Sequence, residues 1–152
     1  MAYDIFGAGS QSRLWQTLRE KHGLSYSADS TLNYDNFDDV STFSIKAIAN
    51  NQNKNRALAL IKDEIRQLVE KGVTTAELER ARKRFMKNRA MTLSNESQYS
   101  GTLADSLYTG RDFKWVAEYD KRIMNLKVED VNSAIRAWIN PDDIVWSLAG
   151  GE

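Results

Sequence analysis

From Leu24 onward the hydrophobic period of this chain changes twice, and those changes bound what it can fold into. From Leu24 the period is two. Leu24, Tyr26 and Ala28 alternate with Ser25, Ser27 and Asp29, as in a half-buried strand. Phe43, Ile45, Ala47 and Ala49 repeat that pattern beyond the Asp- and Asn-rich run Asn33 to Asp39, so the two strands are expected to pair antiparallel through a hairpin. Then the period becomes 3.6: Leu58, Ile61, Ile65, Leu68 and Val69 mark an amphipathic helix ending near Gly72. The second change follows Pro141, where Ile144 to Ala149 is short, β-branched and aromatic and reads as a final buried strand.

Helices account for most of the remainder. Ser10 or Ser12 caps a first helix that runs to about His22, with Leu14, Trp15 and Leu18 on one face and Gly23 as its C′ residue. Thr74-Thr75-Ala76-Glu77 is a capping box opening a helix with Leu78, Ala81 and Phe85. Further helices are expected over Glu96 to Tyr108, Phe113 to Met124 and Glu129 to Ile139, the last with an apolar face of Val131, Ala134, Ile135 and Trp138. Two strands, a run of helices and one strand give an α+β class: a small antiparallel sheet of about three strands packed on a set of helices. With no linker tract or internal repeat, residues 1–152 read as a single domain, and the thin sheet suggests that the domain is incomplete.

Composition narrows the chemistry. The 21 Lys and Arg balance 21 Asp and Glu, which argues against nucleic-acid or anionic-membrane binding through bulk charge. No apolar run approaches the length of a membrane span. With Cys 0 and His 1 there is no disulfide, no thiolate metal site, no Cys nucleophile and no site needing two histidines. The metal expectation is therefore none. A Cys-free chain suits reducing and oxidising compartments alike, so bacterial periplasm and cytoplasm both stay open.

Few residues stand out as chemical groups. Gly7-Ala8-Gly9 lacks the Lys-Ser or Lys-Thr of a phosphate loop and reads as a tight turn. His22 reads as a residue of a helix C-terminus, where a cation is favoured. Glu77, Glu79, Arg80, Arg82, Lys83 and Arg84 read as a solvated helix face. Arg19 and Tyr26 flank Gly23, and a helix-Gly-strand corner brings such side chains to one rim, where they would aim two donors at one carbonyl. Spacing leaves a second reading equally open: Tyr26 shares the face of Leu24 and is then a core residue.

The stretch Ile5-Phe6-Gly7-Ala8-Gly9-Ser10-Gln11-Ser12-Arg13-Leu14, followed by Leu18-Arg19-Glu20-Lys21-His22-Gly23-Leu24-Ser25-Tyr26, resembles the pitrilysin/insulinase family of zinc metallopeptidases, in its C-terminal, non-zinc half. That half typically reads Gly-Gly-Gly-Ser-x-Ser-Arg-Leu, then Leu-Arg-Glu-Lys-x-Gly-Leu-x-Tyr; here Ala8 replaces the middle Gly. Val73 to Leu78, Val128 to Val131 and Asn140-Pro141 support the likeness. The family's His-x-x-Glu-His zinc motif is absent, as are the first strands and first long helix of its repeat unit; Met1 to Phe6 resembles the tail of that helix.

The resemblance implies a truncated, substrate-binding domain of a zinc-dependent peptidase, half of a pitrilysin-like repeat unit, not catalytic by itself. Zinc would reside in a homologous N-terminal half, on the same chain or a separate subunit. The partners implied are that half and a peptide or unfolded polypeptide substrate, and the thin sheet adds self-association. The resemblance assigns substrate binding to Arg19 and Tyr26. The alternatives are a non-catalytic structural member of the family and a protein-interaction module.

Overall fold

The computed structural model describes residues 1–150. Residues 151 and 152, the end of the single 1–152 domain expected above, lie outside the described residues. The chain divides into two compact units, one formed by Met1–Thr74 with Val128–Glu152 and the other by Thr75–Lys127. Among the described residues, no helix is long and apolar enough to cross a membrane.

The first unit starts with α1 (Ala2–Gly7) and α2 (Arg13–Trp15), which continues as a π-helical segment, Gln16–Lys21. Ser12 settles the choice of cap: its buried side chain accepts from the Trp15 N–H. Strands β1 (Ser25–Tyr34) and β2 (Ser41–Ala49) pair antiparallel, as the alternation predicts. Helix α3 (Lys54–Lys71) buries Ala57, Ile61, Ile65 and Leu68, while Leu58 and Val69 on the edges of that face are half-buried. It stops at Gly72, whose φ of 70° suits glycine. Helix α7 (Val128–Trp138) buries Val131 and Ile135, but Ala134 and Trp138 of the expected apolar face point outward. The core is completed by Phe6, Leu14, Leu18, Leu24 and Ala28.

Gly7 is not part of a turn. It ends α1, and a Cβ there would sit 2.3 Å from the Ser30 backbone nitrogen. The helix therefore lies directly on β1, and the Ser30 hydroxyl donates to the Tyr3 carbonyl at 2.9 Å.

Among the described residues the expected third strand is not formed, and the sheet has two strands. Ile144 to Ala149 carries β propensity, but a strand exists only where its backbone meets a ladder partner. Here Ile144 and Trp146 line a small cleft with Lys62, Ile65 and Arg66 of α3, and the Lys62 ammonium lies 5.2 Å from the Trp146 ring centre.

The second unit contains α4 (Thr75–Ser94), α5 (Glu96–Tyr108) and α6 (Phe113–Asn125). Asn95 and Asp112 cap the latter two by accepting from Gln98 and Trp115 N–H groups. Leu78 and Ala81 of α4 are buried, and neither α5 nor α6 has a buried residue. Arg89 bonds Asp120 at 2.7 Å, and Trp115 stacks on Tyr119 with ring centres 5.4 Å apart. Arg82 joins Glu79 and the Leu126 carbonyl, so part of the expected solvated face is tied down.

Candidate functional site

Two backbone irregularities shape the corner around Gly23. In the π-helical segment each turn takes one residue more than an α-helix, which rotates every later side chain about the axis. Thr17 locks that segment to α3 by donating to Glu64 at 2.6 Å. Gly23, at φ 60°, then reverses the chain, and the Leu24 N–H returns to the Leu18 carbonyl at 2.8 Å. On the strand side the register slips: Ser25 pairs with Ala49, but Ser27 pairs with Ile48. Tyr26 is the extra residue of this bulge. The Ser25 hydroxyl, within 2.6 Å of the Ser27 carbonyl and 2.7 Å of the Ile48 carbonyl, stitches it closed.

The bulge decides between the two readings of Tyr26. In an unbroken strand it would face the core with Leu24. The inserted residue breaks the alternation, as bulges do when they re-aim a side chain. Leu24 is buried, and Tyr26 is 78% exposed. The core reading of Tyr26 is thereby excluded.

The structure brings Arg19 and Tyr26 together. Arg19 Nη1 donates to the Tyr26 carbonyl at 2.9 Å, and the guanidinium carbon lies 4.4 Å from the Trp15 ring centre and 5.6 Å from that of Tyr26. Trp15 is steadied in turn, its indole N–H donating to Glu20 at 2.9 Å. A guanidinium beside aromatic faces is attracted by their quadrupoles, by roughly 0.5–1 kcal/mol at exposed sites. The result is a held cation with further N–H groups to offer, next to an exposed phenol. Such a pair donates hydrogen bonds to an oxygen. A guanidinium has N–H donors and no acceptor, so what it can offer a ligand is position and charge.

Sequence reading missed Trp15 as the platform under Arg19. It also missed a second polar cluster in the same unit. Arg13 Nη2 donates to the Gly72 carbonyl at 2.7 Å, and Asn132 accepts from the Val73 N–H at 2.7 Å. Gly72 sits at φ 70°, where an L side chain is strained, and a Cβ there would also sit 2.4 Å from the Asn132 side chain. His22 is the half-exposed C-cap residue of the π-helical segment. Among the described residues no group of three or more His, Cys, Asp or Glu is placed to hold a metal ion.

An antiparallel hairpin laid on helices, with an exposed arginine–tyrosine corner, defines an α+β domain. The profile of the family described as the Peptidase M16 inactive domain matches residues 2–85, and the chain belongs to that family. It is 31% identical over 150 residues to an uncharacterized zinc protease of Rickettsia bellii, covering 92% of this chain and 35% of that protein. It is 22% identical over 148 residues to the non-peptidase homolog YmxG of Helicobacter pylori, covering 97% of this chain and 34% of that protein. The crystal structure of the peptidase M16 inactive domain from Pseudomonas fluorescens superposes with a TM-score of 0.81 at 22% identity, over 93% of this chain and 33% of that one. The chain thus spans about a third of the length of the curated relatives it matches. The resemblance to the non-zinc half of the zinc peptidases, and the α+β class, are borne out.

Proposed function

We propose that this chain is the substrate-gripping, non-zinc half of a zinc peptidase and that Arg19 and Tyr26 hold the substrate backbone. The observation that carries the reading is the exposed Arg19–Tyr26 pair, set side by side by a π-helical segment and a bulge. Both irregularities are over-represented at functional sites. A peptide carbonyl entering the corner would accept from the guanidinium and from the phenol. Those donors favour an oxygen that gains negative charge. Zinc, bound by a homologous half on the same or a separate chain, would polarise the scissile carbonyl and activate water. The chain's own part is to orient the peptide. Its donor set does not suit a metal: the corner presents a cation, and one histidine stands alone at the helix end.

One observation favours a second reading. The Helicobacter pylori relative is described as a non-peptidase homolog. On that reading the domain has a structural or protein-binding role and the corner contributes only packing.

The experiment combines this chain with a zinc-bearing homologous half and measures cleavage of an unstructured peptide. Tyr26→Phe removes one donor and keeps the ring. Loss of an oxyanion-type donor lowers kcat by about 10²–10³. Arg19→Ala is expected to raise KM as well, since it removes an anchor used in binding. Activity within about twofold for both variants, below roughly 0.4 kcal/mol of barrier, overturns the proposal.

A further inference from the structure

The chain's neutral balance conceals a segregation. Thr75–Lys127 holds 11 Lys and Arg against 7 Asp and Glu, a net of +4, and the rest of the chain holds 10 against 14, a net of −4. Each unit also presents an apolar surface inside its own charge.

In the acidic unit an open groove of about 900 Å³ lies between α1, the hairpin tip and α7. Its apolar lining includes Leu32, Phe43 and Trp138, and its charged lining is Asp35, Asp38 and Asp39, with no lysine or arginine. Trp138 is 87% exposed and Leu32 42%. Asp35 accepts from the Phe37 and Asp38 N–H groups, which hold its carboxyl below the usual carboxylate range, so it stays ionised at neutral pH.

In the basic unit, Lys83, Met86, Lys87, Ala90 and Met91 occur on α4 at the i, i+3, i+4, i+7, i+8 spacing that sets residues on one helix face. All five are exposed. Methionine is a flexible, polarizable filler of apolar grooves. A helix face with such anchors is the form that docks into an apolar groove.

We infer that the groove takes the Lys83–Met91 face of α4 from a second copy of this chain. Met86 and Met91 would rest on Phe43, Leu32 and Trp138, while Lys83 and Lys87 meet the three aspartates. Charge complementarity and matching apolar content favour this occupant. The zero formal net charge of the whole chain leaves no overall repulsion to keep copies apart.

The test is sedimentation velocity of the full chain from about 1 to 200 μM, at 50 mM and 500 mM salt, with two charge-reversal pairs. Asp38→Lys with Asp39→Lys, and Lys83→Glu with Lys87→Glu, all change exposed residues, and circular dichroism checks that each variant folds. The wild-type mass is expected to rise with concentration, and less so at 500 mM salt, as for rim charges that are screened. Each pair alone is expected to weaken association about tenfold or more. Combining both pairs reverses the two surfaces together and is expected to restore it. A constant monomer mass overturns the proposal. So does association that ignores the single reversals, or that fails to recover in the combined variant.

Discussion

The two units are held together by different physics. The Met1–Thr74 and Val128–Glu152 unit has a true interior, with Phe6, Leu14, Leu18, Ile65 and Leu68 at 1% exposure or less. The Thr75–Lys127 unit has Leu78 and Ala81 as its buried residues in α4 and none in α5 or α6. Its ties include the Arg82 links to Glu79 and the Leu126 carbonyl, a part-exposed Arg89–Asp120 pair, and a run of arginines on rings: Arg111 over Trp115, Arg122 over Trp115 and Tyr119, Arg89 over Phe85. Burial scales with area and is not weakened by ionic screening, whereas exposed ion pairs are worth little and are screened. The first unit should therefore set global stability, and the second should open locally.

The largest expected effect tests the first half of that contrast. Leu68→Ala, in the buried face of α3, should cost about 2–5 kcal/mol in a denaturant titration. A loss under about 1 kcal/mol would mean that the interior of the first unit is not what holds the chain folded.

Gly7→Ala comes next. The new Cβ meets the Ser30 backbone nitrogen at 2.3 Å, so α1 must lift from β1. Overpacking of this kind costs about 1–3 kcal/mol, read as a lower thermal midpoint. A midpoint unchanged from wild type would show that α1 is free to move off the strand.

Arg89→Ala should cost about 0–1 kcal/mol, the usual worth of a part-exposed pair. Its signature is local: amide exchange in α4 and α6 should quicken while α3 stays protected. Equal quickening in α3 would merge the two units into one cooperative block.

The smallest effect belongs to the corner. Tyr26→Phe should leave the unfolding free energy within about 0.5 kcal/mol, because the side chain is exposed. Paired with a loss of peptide cleavage, that would separate binding from folding at this residue.

The sequence disclosed elements that follow from side-chain periodicity and missed those that depend on where the backbone goes. Helix α3 and the two strands were legible because their apolar residues repeat at fixed intervals. Ile144 to Ala149 misled because β-branched and aromatic residues state a preference, and only a neighbouring ladder turns it into a strand. Tyr26 stayed ambiguous for a related reason. The bulge re-aims Tyr26 while Leu24 and Ala28 on either side of it stay buried, and no residue type marks a bulge of this kind. Gly7 reads the same whether it serves a turn or a close helix–strand contact. The π-helical segment under Arg19 left no signature either, and Trp15 looked like one more member of an apolar face.

The clamp at Gly72 and Val73 bears on the chain's topology. Arg13 and Asn132 fasten the backbone just before it departs at Thr74, and Asn132 lies in the first turns after it re-enters at Val128. Exit and return are thus buttoned to each other within the host body, and Thr75–Lys127 is a guest whose two doorways share a frame. A guest of that kind can be lengthened, shortened or exchanged at small entropic expense, since the closure cost of a loop grows only with the logarithm of its length. The Arg19–Tyr26 corner and the Phe6, Leu14 and Leu68 interior all lie in the host, outside the segment between those doorways.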